Sequence, residues 1–152
     1  MNDDSRTVVF TLDQKRFGIP LHVVERIVQV VEVTPVPQAP AVILGIINVQ
    51  GLIVPVFDLR ALLGLPAREI QITDQIVIAR TPSQMVALLV DEVRGVEDAE
   101  TTAASVPAPD FVAGVVTNHD ALIFICDLQR FLSGDEQATL NAALTARGTD
   151  NG

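Results

Sequence analysis

Tryptophan and tyrosine are absent from this 152-residue chain, cysteine occurs once, and lysine plus arginine number only ten. Each scarcity excludes something. Without Trp or Tyr the usual stacking platforms for unpaired bases are missing. Ten basic against nineteen acidic residues leave a net charge of −9. That balance repels phosphate backbones and anionic lipid, so no nucleic-acid partner and no direct membrane insertion are expected. A lone Cys126 cannot form an intramolecular disulfide, which fits a reducing cytoplasm. No apolar run approaches the roughly 20 residues that span a bilayer; the longest, from Ala41 to Val49, is interrupted by Gly45. The acidic opening Met1 to Arg6 lacks the basic and apolar regions of a secretory leader. The expectation is a soluble, cytoplasmic protein.

Hydrophobic residues, by contrast, make up 49% of the chain. A domain of this length buries roughly 70% of its unfolded surface, so a filled core needs neither metal nor disulfide. The apolar residues also recur. The segment from Gly45 to Leu63 superposes without a gap on the segment from Gly114 to Leu132, at a shift of 69 (114 − 45 = 69). Val8-Val9-Phe10 likewise matches Ile76-Val77-Ile78, and Val24-Glu25-Arg26-Ile27 loosely matches Val90-Asp91-Glu92-Val93. A period this long indicates two copies of one module rather than a solenoid.

Thr7–Leu12 alternates as a strand with Val8, Phe10 and Leu12 on one face, and Phe17–Pro20 returns after a polar turn. Pro20 to Val24 allows one helical turn, and the β-branched run from Arg26 to Val33 reads as strand. A proline-stiffened loop, Thr34 to Pro40, leads to a hairpin of Leu44–Val49 and Leu52–Phe57 around Gln50-Gly51. Pro55 argues for an edge or bulged position on the return strand. Asp58 reads as the N-cap of a short helix, Leu59 to Leu63, closed by Gly64 and Pro66. Residues 64–74 link the copies, set at about 7–64 and 75–133. The second copy repeats the plan with strands at Gln75–Arg80, Met85–Val90 and Val93–Val96. A hairpin across Asn118-His119-Asp120 and a helix capped by Asp127 complete it, and residues 134–152 suit a terminal helix and frayed tail. Short strands with regular turns, given twice, predict an all-β fold of two barrels or sandwiches.

Candidate chemistry is thin. Asp58 and Asp127 occupy matching positions, but each directly precedes an apolar helical pattern, so a capping role explains them better than a catalytic pair. Cys126 falls in an apolar strand, where a thiol is buried and inert. His22 and His119 have no cysteine partners for a zinc site. The glycines sit singly at turns, and Ser5, Ser83, Ser105 and Ser133 lie outside any nucleophile elbow. The reading is a non-enzymatic binding module with no cofactor, no metal and no catalytic residue. A small-ligand-binding barrel and an enzyme are the competing classes.

Phe17-Gly18-Ile19-Pro20, the segment Gly45 to Arg60, and Val86 to Val93 together resemble the CheW family of bacterial chemotaxis adaptors, over about residues 7–133. The resemblance implies two pseudo-symmetric five-stranded SH3-like β-barrels with an apolar seam. It also implies a scaffold bridging the cytoplasmic tips of chemoreceptors to the regulatory domain of a CheA-type histidine kinase. It places partner contacts at Val24, Arg26, Ile27, Gly45, Asn48, Gln50, Gly51, Ile76 and Val77. Two positions depart from the family pattern: Arg26 stands where an acidic residue is usual, and Gln50 where an arginine is usual. That departure keeps open an adaptor of another two-component system, such as pilus motility or gene regulation.

Overall fold

The computed structural model describes residues 6–82, 84–98, 112–118 and 121–128. Ten strands and one short helix follow in chain order: β1 (Arg6–Leu12), β2 (Lys15–Pro20), β3 (Val24–Gln29), β4 (Ile43–Val49), β5 (Leu52–Phe57), α1 (Leu59–Leu63), β6 (Gln75–Arg80), β7 (Met85–Val90), β8 (Glu92–Asp98), β9 (Val112–Asn118) and β10 (Ala121–Cys126). They form two five-stranded sheets, in the orders β8-β1-β2-β10-β9 and β3-β6-β7-β5-β4.

Neither sheet is made from one repeat. The β1–β2 hairpin of the first copy joins β8, β9 and β10 of the second, while β6–β7 of the second joins β3, β4 and β5 of the first. Substituting each strand by its repeat partner converts one order into the other, so the exchange is mutual and the pseudo-symmetry is kept. The crossing strands pair in parallel, β10 on β2 and β5 on β7, where the other named strand pairs are antiparallel. Parallel neighbours need a long connection between them: α1, the linker and β6 lie between β5 and β7, and β3 to β9 lie between β2 and β10. Even the irregularities repeat. A bulge interrupts β4–β5 between Ile43 and Gly45, and the equivalent one interrupts β10–β9 between Ile125 and Cys126.

Alternation along each strand divides the apolar residues between three cores. Val8, Phe10 and Leu12 of β1 meet Phe57, Val77 and Leu88 in the layer between the sheets. Ile47, Val54, Val56, Ile76 and Ile78 fill the second sheet's own interior, and Val9, Val116 and Ile123 that of the first. The central strands are therefore buried on both faces, which is why β1, β6 and β7 read as nearly unbroken apolar runs.

Two expectations shift. The strand drawn at Arg26 to Val33 begins at Val24 and ends at Gln29, because its partner β6 starts at Gln75 and Val30 already donates to the Asp74 carbonyl at 3.2 Å. Pro55 lies on an inner strand rather than an edge or a bulge. It is tolerated because Ile46, its partner across β4, spends both backbone groups on Thr34 (2.9 and 2.8 Å), while the ladder to β7 begins only at Val56. The helical turn expected within Pro20 to Val24 is present, as a 3₁₀ turn over Leu21–Val23. The helix after Asp127 and the terminal helix fall outside the described residues.

Candidate partner-binding surfaces

The β4–β5 turn is built by two left-handed residues, Gln50 (φ 52°) and Gly51 (φ 88°). Paired positive φ angles give a two-residue hairpin loop a twist that matches its strands. Asn48 Oδ1 accepts the Gly51 N–H at 2.8 Å and locks the turn. Nothing lies within 4 Å of where a Gly51 side chain would begin, so backbone conformation and not space selects glycine there. Leu52 and Ile53, just past the turn, are 48% and 49% exposed. Gly45 has the opposite reason. It is buried, and a Cβ there would stand 2.3 Å from the Thr34 carbonyl oxygen, where the chain crosses β4.

On β3, a bulge between Val24 and Arg26 sets Glu25 outside the regular pairing with β6. Glu25 pairs with Arg80 at 2.9 Å. Arg26 follows, exposed, and among the described residues it forms no ion pair. Glu25, Arg26, Val49, Gln50, Leu52, Val54, Ile78 and Met85 line one groove of about 250 Å³. The fold thus brings Arg26 and Gln50, distant in sequence, to one depression at the end of the second sheet.

The other expected contact residues separate by environment. Ile27 is 39% exposed and, one step along β3, faces the opposite side from Arg26. Val24 packs against the inter-sheet core. Asn48 and Gly51 are exposed at the turn. Ile76 and Val77 are fully buried on opposite faces of β6, one in the second sheet's interior and one in the inter-sheet layer, so neither side chain can reach a partner. The expectation of contact at these two positions is corrected: the alternation that buries one face of an outer strand buries both faces of an inner one.

A larger groove, about 510 Å³ and mostly apolar, opens where the sheets meet. Pro20 at the end of β2, Val23 in the 3₁₀ turn, Pro82 in the β6–β7 turn, and Ile125 and Leu128 around the end of β10 form its walls. Cys126 lies on it but is 2% exposed, and burial pushes its thiol up to about 12, leaving it un-ionised and unreactive at neutral pH.

One cluster was not anticipated. Arg60 of α1 is buried and donates to Asp13 at 2.6 Å and to both carboxylate oxygens of Asp91 at 2.9 Å. Arg68 donates to Asp91 at 2.5 Å and to Asp74 at 2.9 Å. Burial draws the Asp91 carboxyl up, but hydrogen bonds from the Asp13 N–H, Arg60 and Arg68 outweigh it and hold its pKa below the ordinary value. Burial likewise pulls Arg60 down, and its bonds to Asp91 and Asp13 leave it raised. The cluster ties the β1–β2 turn of one sheet to the end of β7 in the other. The one signal available was asymmetry, since Arg60 faces Gln129 in the repeat. Among the described residues no three or more His, Cys, Asp or Glu side chains converge as a metal site requires.

The CheW-like domain family matches residues 6–137. The chain is 28% identical over 144 residues to "Chemotaxis protein CheW" of Rhizobium meliloti (strain 1021), covering 90% of this chain and 92% of that one. It is 34% identical to the Thermotoga maritima protein of the same name over 87 residues, 57% of each chain. Among solved structures, the scaffolding protein TtCheW from Thermoanaerobacter tengcongensis superposes with a TM-score of 0.76 at 30% identity, covering 88% of this chain and 90% of that one.

Proposed function

Because the chain belongs to the CheW-like domain family, we propose that it is a non-enzymatic adaptor that couples chemoreceptors to a CheA-type histidine kinase in bacterial chemotaxis. The observation that carries this reading is the presence of two separate grooves on two sheets that share one core. One lies between β3 and the β4–β5 turn, and the other lies where the two sheets meet. A bridging protein needs two faces that can be occupied at once, and a shared apolar core between the sheets holds them in fixed relation. One groove is mostly apolar and the other mixes apolar with charged side chains, which suits protein contacts in which aliphatics give affinity and charges set register.

The partners are the kinase's regulatory domain and the cytoplasmic tips of receptors. The protein works in the cytoplasm and reaches the membrane through those receptors. Among the described residues no helix is long and apolar enough to cross a membrane itself. Partner contacts centre on Arg26 and Gln50, with Asn48 and Gly51 beside them; Ile27 offers a contact on the opposite face of β3, and Val24 and Gly45 support the surface from beneath. The CheW-like unit spans residues 7–133. Co-elution tests the reading. Mixed with the kinase regulatory domain and a receptor-tip fragment from the same genome, the protein should form a ternary complex on size exclusion. Retention of neither partner overturns the proposal.

A further inference from the structure

We propose that the groove between β3 and the β4–β5 turn selects a protein partner that presents a carboxylate flanked by aliphatic side chains; this rests on the adaptor reading and names the chemistry of one of its contacts. The groove's lining is mixed: Val54 and Ile78 at its base belong to the buried core, and the apolar surface it offers comes from Val49, Leu52 and Met85. Two charged residues line it, and they are not equivalent. Glu25 is committed to Arg80 at 2.9 Å, whereas Arg26 has no ion-pair partner among the described residues. Arg26 therefore presents an exposed guanidinium to the groove, available to an acidic group of a partner. Arg26 sits on the outermost strand of its sheet, so no further strand of that sheet covers it.

Size and charge narrow the occupant. At about 250 Å³ the groove is smaller than the roughly 300–1,000 Å³ of small-molecule sites, but it admits one or two side chains of a partner. A phosphate dianion is ordinarily met by clustered arginines, and here a single uncommitted cation shares the groove with the neutral amide of Gln50. One cation with one neutral amide donor matches a single carboxylate: the guanidinium takes the charge and the amide can donate to the second oxygen. The exposed aliphatic part of the lining, Leu52 with Val49 and Met85, takes the neighbouring apolar side chains. Since the whole chain carries −9, long-range attraction does not favour an acidic partner, so discrimination resides in this local contact.

Calorimetric titration of the full chain against the kinase regulatory domain and the receptor-tip fragment, at low and high salt, tests this. For one of the two partners, Arg26→Glu should weaken binding roughly tenfold or more, because it places like charges together. Arg26→Gln should weaken it a few-fold and flatten its salt dependence. An Asp or Glu to Lys change on that partner should restore binding to Arg26→Glu while weakening binding to the unaltered protein. Melting curves matching the parent exclude misfolding, and Arg26→Gln supplies the milder variant. Unchanged affinity of both variants for both partners overturns the proposal and leaves the adaptor reading intact. A loss that no partner substitution restores also overturns it. Failure of the unaltered protein to bind either partner overturns both.

Discussion

Arg60 shows how one side chain can depend on residues the linear order keeps apart. Its guanidinium is satisfied by Asp13 and Asp91, and Arg68 adds a second cation to Asp91. Removing it leaves Asp13 without its cation and Asp91 with Arg68 alone. Arg60→Ala should therefore lower stability by about 2–3 kcal/mol, less than a fully buried pair because Asp13 and Asp91 keep some solvent contact. Chemical denaturation measures this. The pH dependence has a defined sign. The folded pKa of Asp91 lies below its unfolded value, so its contribution is complete above the ordinary carboxylate range and is lost as pH falls through the folded value. Stability should decline below about pH 4, and Asp91→Asn should be less stable at neutral pH with a shallower acid limb. Gly45 makes the complementary point about space. Gly45→Ala would press a methyl group on the Thr34 carbonyl, a backbone atom that cannot rotate away, and should lower stability by about 1–3 kcal/mol in thermal melts.

At the scale of elements, much of the local structure is legible because short-range chemistry decides it. Asp58 caps α1 by accepting the Ala61 N–H at 3.2 Å, and Gly64 closes it in the left-handed conformation (φ 73°), as the spacing implies. Asp58→Ala should cost about 1 kcal/mol in denaturation midpoint while leaving partner affinity unchanged at low temperature. Lost affinity at unaltered stability would show that the carboxylate touches a partner. The β4–β5 hairpin falls where Gln50-Gly51 asks for it, since its backbone requirement is confined to two residues. Where element limits differ, the cause is a neighbour. β3 stops at Gln29 because β6 begins opposite it, and Pro55 is accommodated because Ile46 turns its hydrogen bonds toward Thr34. Neither reason can be read from residues 26–33 or from residue 55.

For the whole molecule, the mutual exchange of hairpins means that neither sheet is complete without both repeats. Phe57, Val77, Leu88 and Phe10 share a core to which both sheets contribute, so local loss should spread. Phe57→Ala should lower stability by about 3–5 kcal/mol, and calorimetry should show one transition in both proteins, with matching calorimetric and van't Hoff enthalpies. Two separate transitions would mean that the sheets are independent units. The sequence by itself determined the repeat, the alternation, the turns, the cap and the family, because each depends on nearby residues or on a pattern carried along the chain. It also isolated Arg26 and Gln50 as a pair to follow. Only the tertiary structure decided which strands lie side by side. Backbone ladders pair N–H with C=O whatever the side chains, and two similar repeats offer each hairpin two similar neighbours. The same long-range arrangement placed Arg26 and Gln50 in one groove, buried Ile76 and Val77 on both faces of β6, and gathered Asp13, Arg60, Arg68, Asp74 and Asp91 into one charged cluster. Contacts between residues tens of positions apart arise from chain closure, and no local propensity encodes them.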